Sequence, residues 1–317
     1  MAIGILKDEA TYHKDSEKYT GDSGSSTNKY VIEDSYDFIY LISLGNSETH
    51  AKLVNDIDMN EHSTYKKGFI DKSTFNNQSV HLYGDKHKVK NIVCMNCSKA
   101  VFVFYYIENC DFVNLVNINS IFPIMVGSSL HSNIANDCNF GIYLNNSEFN
   151  PHGFFQDCSF NIKGRLKDGC SVVDLTNSGY FRQSHINIDI SINADTLFKP
   201  ISRSDYSDIF VNSYITGKVI NKYNGEAKWC DQASNGYQYF EPTNSYFAFE
   251  YKQITPQNFE ITTFHSCFVD GELFSKNGCT VTFNRFSTEY SGTILTTVQA
   301  QDVDYLNSIG FVCVPVE

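Results

Sequence analysis

The chain has 317 residues, with 24 Lys and Arg against 36 Asp and Glu, a net charge of −12 and a pI near 5.2. That balance disfavours binding to a phosphate backbone through a general basic field, so nucleic acid is not an expected partner. No apolar run approaches the roughly 20 residues a helix needs to cross a bilayer, and the opening Met1 to Ala10 lacks the features of an export signal, so folding in a cytoplasm without membrane insertion is expected.

Residues 1–29 are polar, and Thr20 to Asn28 is rich in Gly and Ser, which reads as an N-terminal arm or attachment segment. From Tyr30 the chain becomes strand-like, and Val31, Ile32, Phe38, Ile39, Leu41 and Ile42 are expected to begin or cap a core. Between Asn91 and Ile220 one short pattern keeps returning. Glu108-Asn-Cys110-Asp-Phe112 is echoed by Asn136-Asp-Cys138-Asn-Phe140 and by Gln156-Asp-Cys158-Ser-Phe160, and more loosely by Arg182-Gln-Ser184-His-Ile186. The steps between the Cys or Ser positions are 28, 20 and 26 residues, so a supersecondary unit of variable length is being stacked.

Alternation within the units, as in Ile186-Asn-Ile188-Asp-Ile190, suits half-buried strands, and scarce Ala with abundant Asn, Ser, Gly and aromatic residues argues against long helices. Unequal unit length disfavours a propeller and predicts an all-β parallel β-helix, a solenoid whose strands stay in register while its loops vary. Equivalent side chains would then stack about 4.8 Å apart. Cys110, Cys138 and Cys158 should form one inward ladder, Phe112, Phe140 and Phe160 another, and Asp137 and Asp157 should be neighbours. The helix is expected over 30–221. Residues 222–317, where an aromatic loop-like stretch breaks the repeat, are expected to form further β coils or a β-rich C-terminal cap.

Leu53-Val-Asn55-Asp56-Ile57-Asp58-Met59, followed by Val80-His-Leu82-Tyr-Gly84-Asp-Lys-His87-Lys-Val89-Lys-Asn91-Ile92, resembles the opening coils of right-handed parallel β-helix proteins of the pectate-lyase and phage tailspike type. The likeness covers about residues 50 to 220. It implies a right-handed, single-stranded helix and carries over no catalytic residue.

Ten Cys in a chain of this length without an export signal are expected to be interior thiols and not a disulfide framework. Cys94-Met-Asn-Cys97 lacks the second pair that structural zinc requires. Glycosidases on such a fold use paired carboxylates, and Asp137 with Asp157 would meet the spacing of a retaining pair, at about 5 Å, if both faced outward. The competing role for these two is a corner residue hydrogen-bonded to its own backbone. Tyr223, Trp229, Tyr237, Tyr239 and Tyr246 crowd the loop-rich region and suit glycan stacking, a protein interface or plain packing. No metal-ligand motif and no phosphate loop appears, so no cofactor is implied.

A long acidic β-helix with a polar arm resembles a bacteriophage tail fibre, tailspike or head fibre. The expected role is therefore a structural or receptor-binding virion component, located in the virion after synthesis in the host cytoplasm. Other virion proteins, host surface glycan and two further copies in a trimer are the expected partners. A polysaccharide depolymerase on the same fold is the alternative, and a bacterial surface adhesin a third reading.

Overall fold

A computed structural model describes residues 24–43, 48–61, 69–70, 80–98, 100–126, 134–175, 179–199, 210–230, 242–263, 267–285 and 292–309. The protein is all-β, and every strand pairing among these residues is parallel. Two long sheets dominate. A nine-stranded sheet runs from Tyr30–Ile32 through Thr49–Leu53, Val80–Tyr83, Tyr106–Glu108, Ile134–Asn136, Gly153–Gln156, Gly179–Arg182 and Phe210–Val211 to Pro242–Thr243. A twelve-stranded sheet holds the longer strands, among them Asp111–Ile118, Asn139–Ser147, Ser159–Leu166, His185–Ile192, Tyr214–Asn221 and Ser245–Gln253. Shorter strands such as Val173–Asp174, Thr196–Lys199 and Lys228–Cys230 pair in small third sheets, so the chain visits its faces in a repeating order.

The turn from the nine-stranded to the twelve-stranded sheet spans two residues, the first of them left-handed. Asn109, Asp137, Asp157, Gln183, Asn212 and Asn244 all adopt left-handed backbone with φ between 46° and 50° or just above, the largest being 52° at Asp157. Asn and Asp tolerate this conformation better than other side chains, which is why they recur there. The next residue is always a small hydrogen-bonding one that points inward. Ser213 Oγ donates to the Val211 carbonyl at 2.8 Å and accepts from the Ser184 N–H at 3.1 Å. Ser184 and Ser245 repeat this arrangement one unit away on either side. Cys138 and Cys158 thiols each lie 3.2 Å from the carbonyl two residues back. Cys and Ser thus interchange at this corner because both are small, and both can bridge the carbonyl and amide groups that the turn leaves unpaired. The ladder continues to Cys267, which is in register with Ser245.

A second corner, beyond the twelve-stranded sheet, uses the same device. Asn96, Asn119 and Asn146 are left-handed and are followed by Cys97, Ser120 and Ser147. Ser147 Oγ accepts the Ser120 N–H, and Ser120 Oγ accepts the Cys97 N–H. The three Asn amides bond one to the next along the stack. The Cys94-x-x-Cys97 spacing therefore reflects a strand and the corner after it.

The inward phenylalanines stack as expected. Ring centroids of Phe112 and Phe140 are 5.4 Å apart, and those of Phe140 and Phe160 are 4.7 Å apart, with near-parallel planes. Phe122, Phe149, Phe155 and Phe181 meet this ladder edge-on from the other faces. Each such ring taken out of water contributes about 1.5–3 kcal/mol.

The ends depart from a pure strand reading. Residues Ser35–Ser43 form a helix, started by Asp34, whose side chain accepts the N–H groups of Tyr36 and Asp37. Phe38, Ile39 and Leu41 are buried from this helix and not from a strand. At the other end, strands Cys267–Asp270 and Gly292–Leu295 extend the twelve-stranded sheet past residue 221. Asp270 caps the helix Gly271–Ser275 through the Leu273 N–H. Helices Thr297–Gln301 and Val303–Ser308 then lay Ala300 and Leu306 against Tyr246 and Phe268, on the outer face of the sheet. Among the described residues, no helix is long and apolar enough to cross a membrane.

Candidate functional site

Asp137 and Asp157 are both exposed corner residues with φ of 50° and 52°. Their recurrence is explained by the turn, in series with Asn109 before them and with Gln183, Asn212 and Asn244 after. The amide of Gln156 donates to the Asp157 carboxylate at 3.2 Å.

The aromatic cluster is corrected at two positions. Trp229 is 1% exposed, with its ring among Phe198, Phe247, Phe249 and Phe274, so it is core and cannot stack on a ligand. Tyr246 is buried under the C-terminal helices, its hydroxyl donating to the Ala300 carbonyl at 3.2 Å. The alternating pattern of Tyr246 to Tyr251 belongs to a strand covered on both sides, which inspection of composition alone does not distinguish from a surface cluster. Tyr223 is half-buried and packs against the main core. Tyr237 and Tyr239 lie outside the described residues.

The residues that do share an open face are on the outside of the nine-stranded sheet. Strand register places His50, His81, Tyr106, Ile134, Phe154 and Tyr180 in one continuous row, in which His81, Tyr106, Ile134 and Phe154 are half-exposed and the end members His50 and Tyr180 are buried. Two residues along each strand, Lys52, Tyr83, Glu108, Asn136, Gln156 and Arg182 form a parallel polar row. Inward neighbours such as Leu82, Ile107, Ala135 and Phe155 are fully buried, so the alternation of each short strand separates core from face. Along the rows, His50 stacks on His81 at 4.1 Å, Phe154 on Tyr180 at 6.5 Å, and the Arg182 guanidinium lies 5.4 Å from the Phe154 centroid. Burial, reinforced by the neighbouring Glu108 carboxylate, pushes the Tyr106 hydroxyl up to about 12, so it remains a neutral donor at physiological pH. The face thus offers half-exposed ring surfaces beside amide, carboxylate and guanidinium groups. That pairing of flat apolar and polar contacts suits a sugar or an extended polar chain.

At its N-terminal end this face gathers Glu48, His50, His81 and Tyr83. Glu48 Oε1 is 3.2 Å from His50 Nε2 and 3.8 Å from His81 Nε2. The second ring nitrogen of His50 is 3.3 Å from the Tyr83 hydroxyl. Burial, with the neighbouring His50, lowers the pKa of His81, so its imidazole is neutral at pH 7.

This face was missed from the sequence because its strands are three or four residues long and each shows only two outward positions. A signal was nevertheless present. Counting back one and three residues from each corner Asn109, Asp137, Asp157 and Gln183 returns Glu108 and Tyr106, Asn136 and Ile134, Gln156 and Phe154, and Arg182 and Tyr180.

No family model matches the chain, and no curated protein matches it in sequence. In structure it is similar to a candidate immunoglobulin A1 protease from Bacteroides ovatus, with 14% identity and a TM-score of 0.39 over 91% of this chain and 90% of that one.

Proposed function

We propose that the parallel sheets are the faces of a right-handed β-helix, and that this solenoid is a structural and receptor-binding component of a bacteriophage virion, engaging host surface glycan along the outer face of its nine-stranded sheet. The observation that carries the binding role is the half-exposed row from His81 to Phe154 beside its polar companion row. Its repeat along the axis matches an extended polymer better than a small molecule. The resemblance of the Leu53 to Met59 and Val80 to Ile92 segments to pectate-lyase and tailspike-type coils supports the fold, and the long acidic chain with its polar N-terminal arm supports the virion setting. The assay is binding of the full chain to purified host surface polysaccharide. Phe154→Ala with Tyr106→Ala should lower affinity about fivefold or more, since stacked rings are each worth about 0.5–1.5 kcal/mol. Unchanged affinity in a folded double variant would remove this face from the function.

Depolymerase activity on the same fold is the alternative reading. The corner role of Asp137 and Asp157 weighs against that pair, and reducing-end release abolished by Asp157→Asn would reverse this conclusion. Trimerisation is likewise a proposal. With Trp229 in the core, its support shifts to the exposed apolar side chains Ile294, Val298 and Val303 at the C-terminal end. Sedimentation at the mass of a single 36.0 kDa chain would exclude it.

A further inference from the structure

We propose that Glu48, His50 and His81 form a binding site for a divalent transition-metal ion of zinc-like preference on the outer face of the nine-stranded sheet. The candidate ligand atoms, one from each residue, all lie within 4.8 Å of one another, on adjacent strands whose register sets His50 directly beside His81. The two imidazoles stack at 4.1 Å with planes 20° apart, so their Nε2 atoms face the same carboxylate oxygen. Two imidazole nitrogens and a carboxylate make a donor set suited to zinc and its neighbours and poorly suited to calcium or magnesium, which prefer all-oxygen shells.

An independent observation supports ligation. His50 is buried, and its Nδ1 lies 3.3 Å from the Tyr83 hydroxyl. In the tautomer whose Nδ1–H donates to the Tyr83 hydroxyl, Nε2 carries the lone pair on the side of Glu48, the arrangement by which metal-binding histidines are oriented by a neighbour. The nearby Lys29 ammonium is held over the Tyr83 ring at 4.6 Å and donates to the Ser26 carbonyl, so its described contacts lie away from the carboxylate. Glu48 is largely exposed, with side-chain accessibility of 73%, which gives an ion access and leaves a coordination position for water. A bound ion would clip the two strands Thr49–Leu53 and Val80–Tyr83 together from outside.

The test uses the untagged full chain titrated with cobalt(II), whose visible absorption reports coordination by nitrogen and oxygen ligands, followed by zinc as competitor. Expected are saturation at one equivalent, displacement by zinc, and a rise in Tm with either metal. Glu48→Ala and His81→Ala should each weaken binding at least about tenfold, and Tyr83→Phe should weaken it by up to about tenfold through loss of ligand orientation. His87→Ala, at the other described His and carboxylate contact with Asp56, should leave binding unchanged. Glu48 is exposed, so its variant reports on ligation even if His81→Ala disturbs packing. Absence of a saturable cobalt spectrum, or a spectrum unaltered in Glu48→Ala, would overturn the site.

Discussion

A single corner residue and the small side chain after it recur with little variation, and their chemistry makes distinct predictions. Ser213→Ala removes the acceptor of the buried Ser184 N–H and should cost about 1–3 kcal/mol, whereas Ser213→Cys, which supplies the side chain used at the earlier corners Cys138 and Cys158, should cost clearly less. Chemical denaturation of the two variants separates them. Cys158→Asp places a charge in the same stack and should prevent folding of the region. Burial pushes the thiols of Cys110 and Cys158 well above their ordinary range and Cys267 up to about 12. These thiols should therefore react with a thiol reagent at neutral pH only as fast as the protein opens, and fast labelling of the native state would contradict the ladder. His185, stacked on Tyr214 at 4.1 Å, has its pKa lowered from 6.5 by burial. The unfolded chain then takes up a proton that the folded chain refuses, so the contribution is intact above pH 6.5 and lost as pH falls through that value. Asp56, hydrogen-bonded by Lys90, and Glu250, hydrogen-bonded by Asn277 and Lys276, have folded pKa values lowered from 3.8 and 4.5, so their losses come at lower pH. Tm measured at about pH 7.5 and about pH 5.5 should fall less in His185→Gln than in the native protein.

At the scale of elements, the long strands carry glycines where the backbone of the previous unit comes closest. Gly217 has φ of 107°, and a Cβ there would lie 1.9 Å from the Ile188 carbonyl oxygen; Gly164 is similar, at 110° and 2.1 Å from that of Leu144. Gly217→Ala combines strain with a backbone clash and should destabilise by about 3 kcal/mol or more, measured by denaturant midpoint. A smaller effect than that of Ser213→Ala would mean that the strands can separate at this point. The helices were not legible in advance. Ser35 to Ser43 is apolar enough to pass for a strand, and only the Asp34 cap and the covered end of the core favour helix. Thr296, directly after the strand Gly292–Leu295, begins Thr297–Gln301 with a capping box to Gln299. Local alternation cannot reveal that the preceding strand is at the sheet edge and that the chain must turn back over it.

For the whole molecule, the arrangement of faces determines what is available for contact. The C-terminal helices cover the outer side of the twelve-stranded sheet at Tyr246 and Phe268, while the row from His81 to Phe154 remains partly open. If association uses the apolar C-terminal end, Val298→Asp should shift sedimentation toward the 36.0 kDa monomer without lowering Tm, because Val298 is 77% exposed and contributes little to the core.

The stacked parallel strands, the Cys and Phe ladders and the polar corners were all legible in the order of the residues. Each of these is imposed by a period of two within a strand and by one repeated left-handed turn, which are local rules. That order also carried both readings of Asp137 and Asp157, and only the φ of 50° and 52° at those residues showed their common role as corners. Which side of each strand lay open, and which aromatic residues were covered, depended on packing between segments far apart in the chain. Trp229 was hidden by Phe198, Phe247 and Phe274, and His50 met His81 only through register between strands 31 residues apart. Such contacts leave no local pattern, because the residues that create them are neighbours along the stack and not along the chain.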